Sequence, residues 1–278
     1  MTASTTYRTL VDEAANDPRT LVRVERSGAV ATITMDDAAK YNVLSATLTC
    51  QLHEALRALA TDPDVRAVIL TGADPAFSAG GDVRLMTRAQ ELLAGGDEGA
   101  VGMWRWIRYQ FGGIARLLVQ TDKVMIAAVN GAAAGVGLAF AYACDLILVS
   151  ERARIVPAFA DIGLVPEVGT SWMLTRRLGY HRAFELFLTG RELSGAEAAA
   201  MGLANVCVPH DRLLAEAQVY ADRVVALPDP IVTLAKPLLR RTADATWEQA
   251  IAMEELAEPL CFTTGGHRAA VARFLGRS

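Results

Sequence analysis

The stretch Val124-Met-Ile-Ala-Ala-Val-Asn-Gly-Ala-Ala-Ala-Gly-Val-Gly-Leu-Ala-Phe-Ala-Tyr-Ala-Cys-Asp145 decides how this chain is read. Its first 21 residues, Val124 to Cys144, carry no charge, which is long enough to span a bilayer. Asn130, Gly131, Gly135 and Gly137 interrupt it, however, and much of the rest is alanine, which is only weakly apolar. The alternative is a buried strand over 124–129, a glycine-rich turn over 131–137 and a small-residue helix to about Cys144. Asp145–Val149 then reads as another strand. A buried strand entering a helix through glycines is the unit of an α/β fold.

Working outward, the same unit recurs. Leu21–Glu25 and Val30–Met35 flank Ser27-Gly28 as a hairpin. Ser45 caps a helix to about Ala60, with Leu48, Leu52, Leu56 and Leu59 on one face. Arg66–Thr71 is a buried strand, and Phe77-Ser-Ala-Gly-Gly-Asp82 a second glycine-rich turn into a helix. Ala94-Gly-Gly-Asp-Glu-Gly99 reads as a flexible loop before a helix through Trp104 and Ile107 toward Leu118. Ala153–Val156 is a short strand, Val168–Leu178 and Arg182–Leu188 are helices, and Ser194 with Glu197 has capping-box spacing. No strand pattern follows Asp211. The expected organisation is a loose arm over 1–18, a strand–helix core over 19–209 and a helical region over 210–278.

The chain of 278 residues is 52% hydrophobic, enough for a packed core rather than disorder. With 27 basic and 31 acidic side chains it has no basic run, which argues against nucleic acid or anionic lipid as a partner. Cys50, Cys144, Cys207 and Cys261 form no CxxC pair and no zinc spacing, so they read as reduced thiols and no metal is expected. The N-terminal stretch has no apolar signal core, and a cytoplasmic protein is expected.

Three features bear on chemistry. The two glycine-rich turns could direct unpaired amides at one point as an oxyanion site; the same glycines could equally serve tight packing. Neither turn is a phosphate loop, because GxxxxGK[ST] is missing, and Gly135-Val136-Gly137 is only a fragment of a dinucleotide fingerprint. Glu167, in Val165-Pro-Glu-Val-Gly-Thr170, is a candidate general base, or else a first-turn acid that complements a helix dipole. His53, His181, His210 and His267 have no ligand-like spacing; His210 reads as a loop residue, and Ser78 sits in no G-x-S-x-G elbow.

Taken in order, Val24–Met35, Lys40-Tyr-Asn-Val-Leu44, Val68–Gly72 with Ala76–Asp82, Ala127–Asp145 and Ala198–Val206 resemble the crotonase superfamily, the enoyl-CoA hydratase/isomerase family. The resemblance runs from about Leu21 to the C-terminus. It implies an α/β spiral of ββα units whose C-terminal α-helical region drives a homotrimer, often a dimer of trimers. It implies an acyl-CoA thioester as substrate, with coenzyme A entering only as part of that substrate. By the resemblance, the oxyanion donors are the amides of Gly81 and Val136, the latter replacing the usual glycine. Coenzyme A contacts fall on Lys40, Asn42, Val43, Ala79, Gly81, Asp82 and Val83, largely through backbone atoms, and Phe159, Ala139 and Pro166 line the substrate pocket.

The sequence departs from the family's hydratases at two positions. Where those enzymes place glutamates, this chain has Ala139 and Phe159. Glu167 instead matches the single acid of several superfamily isomerases, which move a proton from C2 to C4 with one base. Expected from this is an enoyl-CoA isomerase shifting a Δ3 double bond to Δ2. The alternatives are an enoyl-CoA hydratase using Glu167 with a rescue acid such as Asp161, and a non-catalytic acyl-CoA-binding oligomer.

Overall fold

The computed structural model describes residues 7–94 and 97–276. The chain opens with helix α1 (Tyr7–Ala15), the hairpin β1 (Val22–Ser27) and β2 (Val30–Met35), helix α2 (Ala46–Thr61), and strands β3 (Ala67–Gly72) and β4 (Ala76–Ser78). Helices α3 (Val83–Ala94) and α4 (Asp97–Arg105) follow. A π-helical turn (Trp106–Phe111) leads into α5 (Gly112–Gln120). Next come β5 (Val124–Val129), β6 (Ala132–Ala134), α6 (Gly135–Ala143), β7 (Leu146–Ser150) and β8 (Arg154–Val156). The remainder is α7 (Thr170–Leu178), α8 (Tyr180–Thr189), β9 (Leu193–Ser194), α9 (Gly195–Ala200), β10 (Val206–Val208), α10 (Leu213–Ala226), α11 (Ile231–Thr242), α12 (Trp247–Phe262) and α13 (Gly265–Phe274).

Two sheets result, one of six strands in the order β1-β2-β3-β5-β7-β10 and one of four in the order β4-β6-β8-β9. The central pairs β2/β3, β3/β5 and β5/β7 are parallel. Parallel strands need both faces covered, and here they are. One face of the six-stranded sheet meets α2, α5 and α6 through Leu48, Leu52, Ile114 and Phe140. The other meets α10 through Leu213, Ala217 and Ala221. That is why β3 and β5 are buried at every position and read as unbroken apolar runs.

The fold corrects several boundaries. The expected loose arm is helical over 7–15 and docks on α2, with Leu10 and Ala14 buried; residues 1–6 lie outside the described residues. Short helices gain their stability from such an apolar face, not from propensity. The expected flexible loop over 94–99 lies partly outside the described residues, and from Asp97 onward the chain is already α4. Strand β10 falls where the sequence has no alternation, and pairing with β7 is what holds it extended. Helix α10, expected in the C-terminal region, belongs to the core as the cover of the sheet's second face. Both anticipated caps are present: Ser45 accepts from the Leu48 amide, and Ser194 and Glu197 form a capping box. Among the described residues no helix is long and apolar enough to cross a membrane, so the uncharged run is β5, β6 and α6.

Candidate active site

Parallel pairing of β4 with β6 sets the two glycine-rich turns side by side. Contact there is close on both sides. A Cβ at Gly80 would lie 2.7 Å from the Ala134 carbonyl oxygen, and one at Gly137 would lie 2.6 Å from the Ser78 Cβ. Both glycines are therefore required by the approach of one turn to the other.

The Gly81 amide sits at the end of the first turn, and Val136 is the second residue of α6. Amides in the first helical turn have no intrahelical acceptor. Among the described residues neither amide donates to a turn or loop carbonyl. The β-branched side chain of Val136 is tolerated because Gly135, at φ +48°, takes the left-handed conformation in its place.

Buried Ser78 joins the first turn to the segment 40–44. Its hydroxyl donates to the Asn42 carbonyl at 2.8 Å and accepts from the Gly80 amide at 3.2 Å. The Leu44 amide donates to Gly80 O and the Ala79 amide to Tyr41 O, each at 2.8 Å. Lys40, Val43, Ala79, Asp82 and Val83 are thereby gathered along one seam. Lys40, Ala79 and Val83 are exposed there. Asp82 caps α3 by accepting from the Arg84 amide at 2.9 Å.

The side chain of Asn42 serves the loop itself. It is fully buried, with its side chain accepting from the Asp37 amide and donating to Ala73 O and Ala76 O. It shapes the loop from inside and has no side-chain group left to offer a ligand. Tyr41 and Asn42 are both left-handed, at φ +54° and +53°, which turns the exposed Tyr41 ring onto the seam's surface. The place of Tyr41 in this loop is set by contacts remote in the chain, its carbonyl accepting from the Ala79 amide.

Glu167 lies in the loop between a short 3-10 turn (Ala160–Ile162) and α7. Helix α7 begins at Thr170 and has no acid in its first turn, so the dipole-complementing reading does not hold. Two consecutive left-handed residues, Val168 at φ +56° and Gly169 at φ +89°, separate Glu167 from the helix. A β-branched residue in that region is strained, and such strain concentrates at functional sites. Among the described residues the Glu167 carboxylate has neither an ion pair nor a hydrogen bond, and burial alone pushes its carboxyl above the ordinary range. Ala139 and Phe159 are buried, and Pro166 is half-buried. Asp161 is exposed and lies against Gly190.

A cavity of about 610 Å³ opens beside this loop. Ala139 and the two residues after Glu167, Val168 and Gly169, form part of its wall. Phe159, Pro166 and Val136 do not, so of the three expected pocket residues only Ala139 lines this space. The sequence reading missed the opposite wall, supplied by α11. Lys236 is buried there, donating to Lys123 O and Asp145 Oδ2, both at 2.8 Å, and Arg240 reaches Asp145 Oδ1 at 2.7 Å. Burial draws the Lys236 amine below its usual value and Asp145 opposes that shift. The signal was the i, i+4 spacing of the two cations on one helix face, but their acceptor lies about ninety residues earlier. Among the described residues no cluster of His, Cys, Asp or Glu could hold a metal ion.

Comparison with known proteins places this geometry. The sequence profile of the enoyl-CoA hydratase/isomerase family matches residues 25–275. A Rhizobium meliloti protein named "Probable enoyl-CoA hydratase" is 32% identical over 254 residues, 91% of this chain and 94% of that protein. Among solved structures, an enoyl-CoA hydratase from Bacillus anthracis superposes with a TM-score of 0.81 at 27% identity, covering 93% of this chain and 97% of the other. A monofunctional enoyl-CoA isomerase from M. smegmatis gives 0.68 at 32% identity, covering 84% and 99%. The chain belongs to the enoyl-CoA hydratase/isomerase family. Its spiral of ββα units with C-terminal helices is the crotonase fold, and its general activity is that family's, on acyl-CoA substrates.

Proposed function

We propose that the protein shifts a double bond in an enoyl-CoA from Δ3 to Δ2, with Glu167 as the only base. The observation that carries this reading is the desolvated carboxylate of Glu167, without an ion pair or hydrogen bond among the described residues, with Ala139 and Phe159 where the family's hydratases carry acids. The thioester oxygen accepts from the Gly81 and Val136 amides, which hold the negative charge that develops when a C2 proton leaves. Glu167 takes that proton and returns it at C4. Desolvation suits the role, since a carboxylate with a raised pKa is a stronger base. Coenzyme A lies along the seam of 40–43 and 79–83, its contacts made mainly by backbone.

The second reading is enoyl-CoA hydration, and the name of the Rhizobium relative and the Bacillus anthracis structure favour it. Hydration needs one group to activate water and another to deliver a proton. Asp161, the available second acid, is exposed against Gly190. The test is to incubate the protein with 3-enoyl-CoA and 2-enoyl-CoA, separate the thioesters chromatographically so that the two isomers are resolved, and take the mass of each product. Isomerisation leaves the mass unchanged and hydration adds one water. Glu167→Gln is expected to lower isomerisation by about 10²–10⁴-fold, the scale of losing a general base, while acyl-CoA binding stays near normal. Full isomerase activity in that variant sinks the assignment; added water that disappears in Asp161→Asn establishes the second reading.

The assembly proposed with this function is a homotrimer, alone or as a dimer of trimers, built on the C-terminal helices. Helices α12 and α13 bury no residue within the chain, and Leu256, Leu260 and Phe274 are open to solvent. Light scattering at micromolar concentration checks this, and a monomer rejects it.

A further inference from the structure

The cavity beside Glu167 has two distinct ends. Helix α6 forms one wall with Ala139 and Ala143, four residues apart and so on the same face. Both side chains are small, which leaves the helix surface open to the space. The near end, at Ala139, is one helical turn from the Val136 amide and adjoins Val168 and Gly169, the residues that follow Glu167. The far end, at Ala143, is where Arg240 crosses from α11 to donate to the Ala143 carbonyl at 3.1 Å. From Val136 to Ala143 the helix advances about 10 Å at 1.5 Å per residue.

The charges at the far end are unequal in what they have left to bind. Lys236 and Arg240 are both committed to Asp145, at 2.8 and 2.7 Å. Asp122, also on the wall, pairs with Lys123 at 3.4 Å. Arg241 lines the same cavity and is exposed. Among the described residues its guanidinium has neither an ion pair nor a hydrogen bond to any side chain or carbonyl. A mainly apolar chamber walled by the two residues that follow Glu167 and by an uncommitted guanidinium suits a chain with a reacting head and an anionic tail.

We propose that this cavity receives the acyl group and that Arg241 pairs with a second, distal carboxylate. The substrate class is then the CoA monothioester of an unsaturated dicarboxylic acid. The inference rests on the acyl-CoA reading above and narrows it. Arginine suits this part because its planar donor fork matches a carboxylate in two-point contact. The apolar walls between the ends take the intervening methylenes.

Binding of two saturated, unreactive probes of equal length separates this proposal from the reading beneath it. Hexanoyl-CoA and the CoA monothioester of hexanedioic acid are titrated calorimetrically against the full-length protein and its Arg241→Gln variant. The wild type is expected to bind the diacid thioester on the order of tenfold more tightly, as one charge-assisted contact supplies. Arg241→Gln should remove that preference and leave hexanoyl-CoA unchanged. Equal binding of the two probes by the wild type overturns the proposal and leaves the acyl-CoA reading standing. Equal weakening of both probes in the variant overturns it too, because it places Arg241 on a coenzyme A phosphate. If neither thioester binds while the protein is folded, the acyl-CoA reading falls and this inference falls with it.

Discussion

The strand-to-helix turns of the core and the two last helices use apolar residues in opposite ways. Beneath the turns the large apolar side chains are enclosed: Phe77 and Phe140 are fully buried, as is Ala133, and the glycines are there because one turn closely approaches the other. Helices α12 and α13 enclose nothing, and Leu256 and Phe274 are 78% and 90% exposed. The first region is complete within one chain; the second presents the kind of surface that oligomers bury. The proposed chemistry belongs to the enclosed region and the proposed association to the open one.

The sharpest way to break the contrast is to add one carbon to the core. A Cβ at Gly131 would lie 2.0 Å from the Pro75 carbonyl oxygen, and both partners are backbone. Gly131→Ala should cost about 3 kcal/mol or more, at the upper end of overpacking effects. Chemical denaturation reads this as a lower midpoint, and unchanged stability would show that the turns are not held against each other. Ser78→Ala removes the hydroxyl between Asn42 O and the Gly80 amide and leaves both without that partner. A loss of about 1–3 kcal/mol follows from the unmet buried groups. Turnover should fall more than affinity, because the Gly81 amide moves with the turn. A variant with wild-type turnover would remove Ser78 from the positioning of that amide.

On the other side of the comparison, Leu256→Glu should change unfolding of the isolated chain by no more than about 0.5 kcal/mol, as exposed positions do. Its effect should appear in particle mass, which drops toward the monomer in sedimentation. An unchanged mass would place the interface elsewhere.

The gentlest test uses pH. Burial raises the folded-state pKa of Glu167 above its unfolded value. The folded protein then binds the proton more tightly than the unfolded chain does, so this group's contribution to stability falls as pH rises from the unfolded toward the folded pKa. Above that window the burial penalty is fully present. Glu167→Gln should therefore be the more stable protein at neutral pH, with the difference fading as pH falls below the ordinary carboxylate range. Thermal melts across pH check it, and a variant less stable at neutral pH would show that Glu167 has a favourable partner in the assembled protein.

Much of the architecture was legible because its signals are local. Ser45 and Ser194 cap helices through amides three residues away, and the apolar runs of β3 and β5 need no distant partner to be recognised. Helix α1 and strand β10 were not legible, because each is held by a remote surface: α2 in one case, β7 in the other. The site divides along the same line. The two glycine-rich turns and Glu167 stand out in the sequence as residue types in unusual settings, and the resemblance points within those turns to Gly81 and Val136. Asn42, expected as a coenzyme A contact made largely by backbone, uses its side chain as internal scaffolding, the amide satisfied by carbonyls more than thirty residues away.

By itself, then, the sequence determined which residues could do chemistry, where helices start, and which strands are buried, since these depend on side-chain type and short-range hydrogen bonds. Only the tertiary structure decided what those residues face. Parallel pairing of β4 with β6 brought the two glycine turns into contact. The left-handed pair Val168-Gly169 took Glu167 out of the helix. Helix α11, anchored through Lys236 and Arg240 on Asp145, closed the cavity beside it. Each of these joins segments far apart in the chain, and no local preference encodes such a meeting; it follows from burying both faces of one sheet at once.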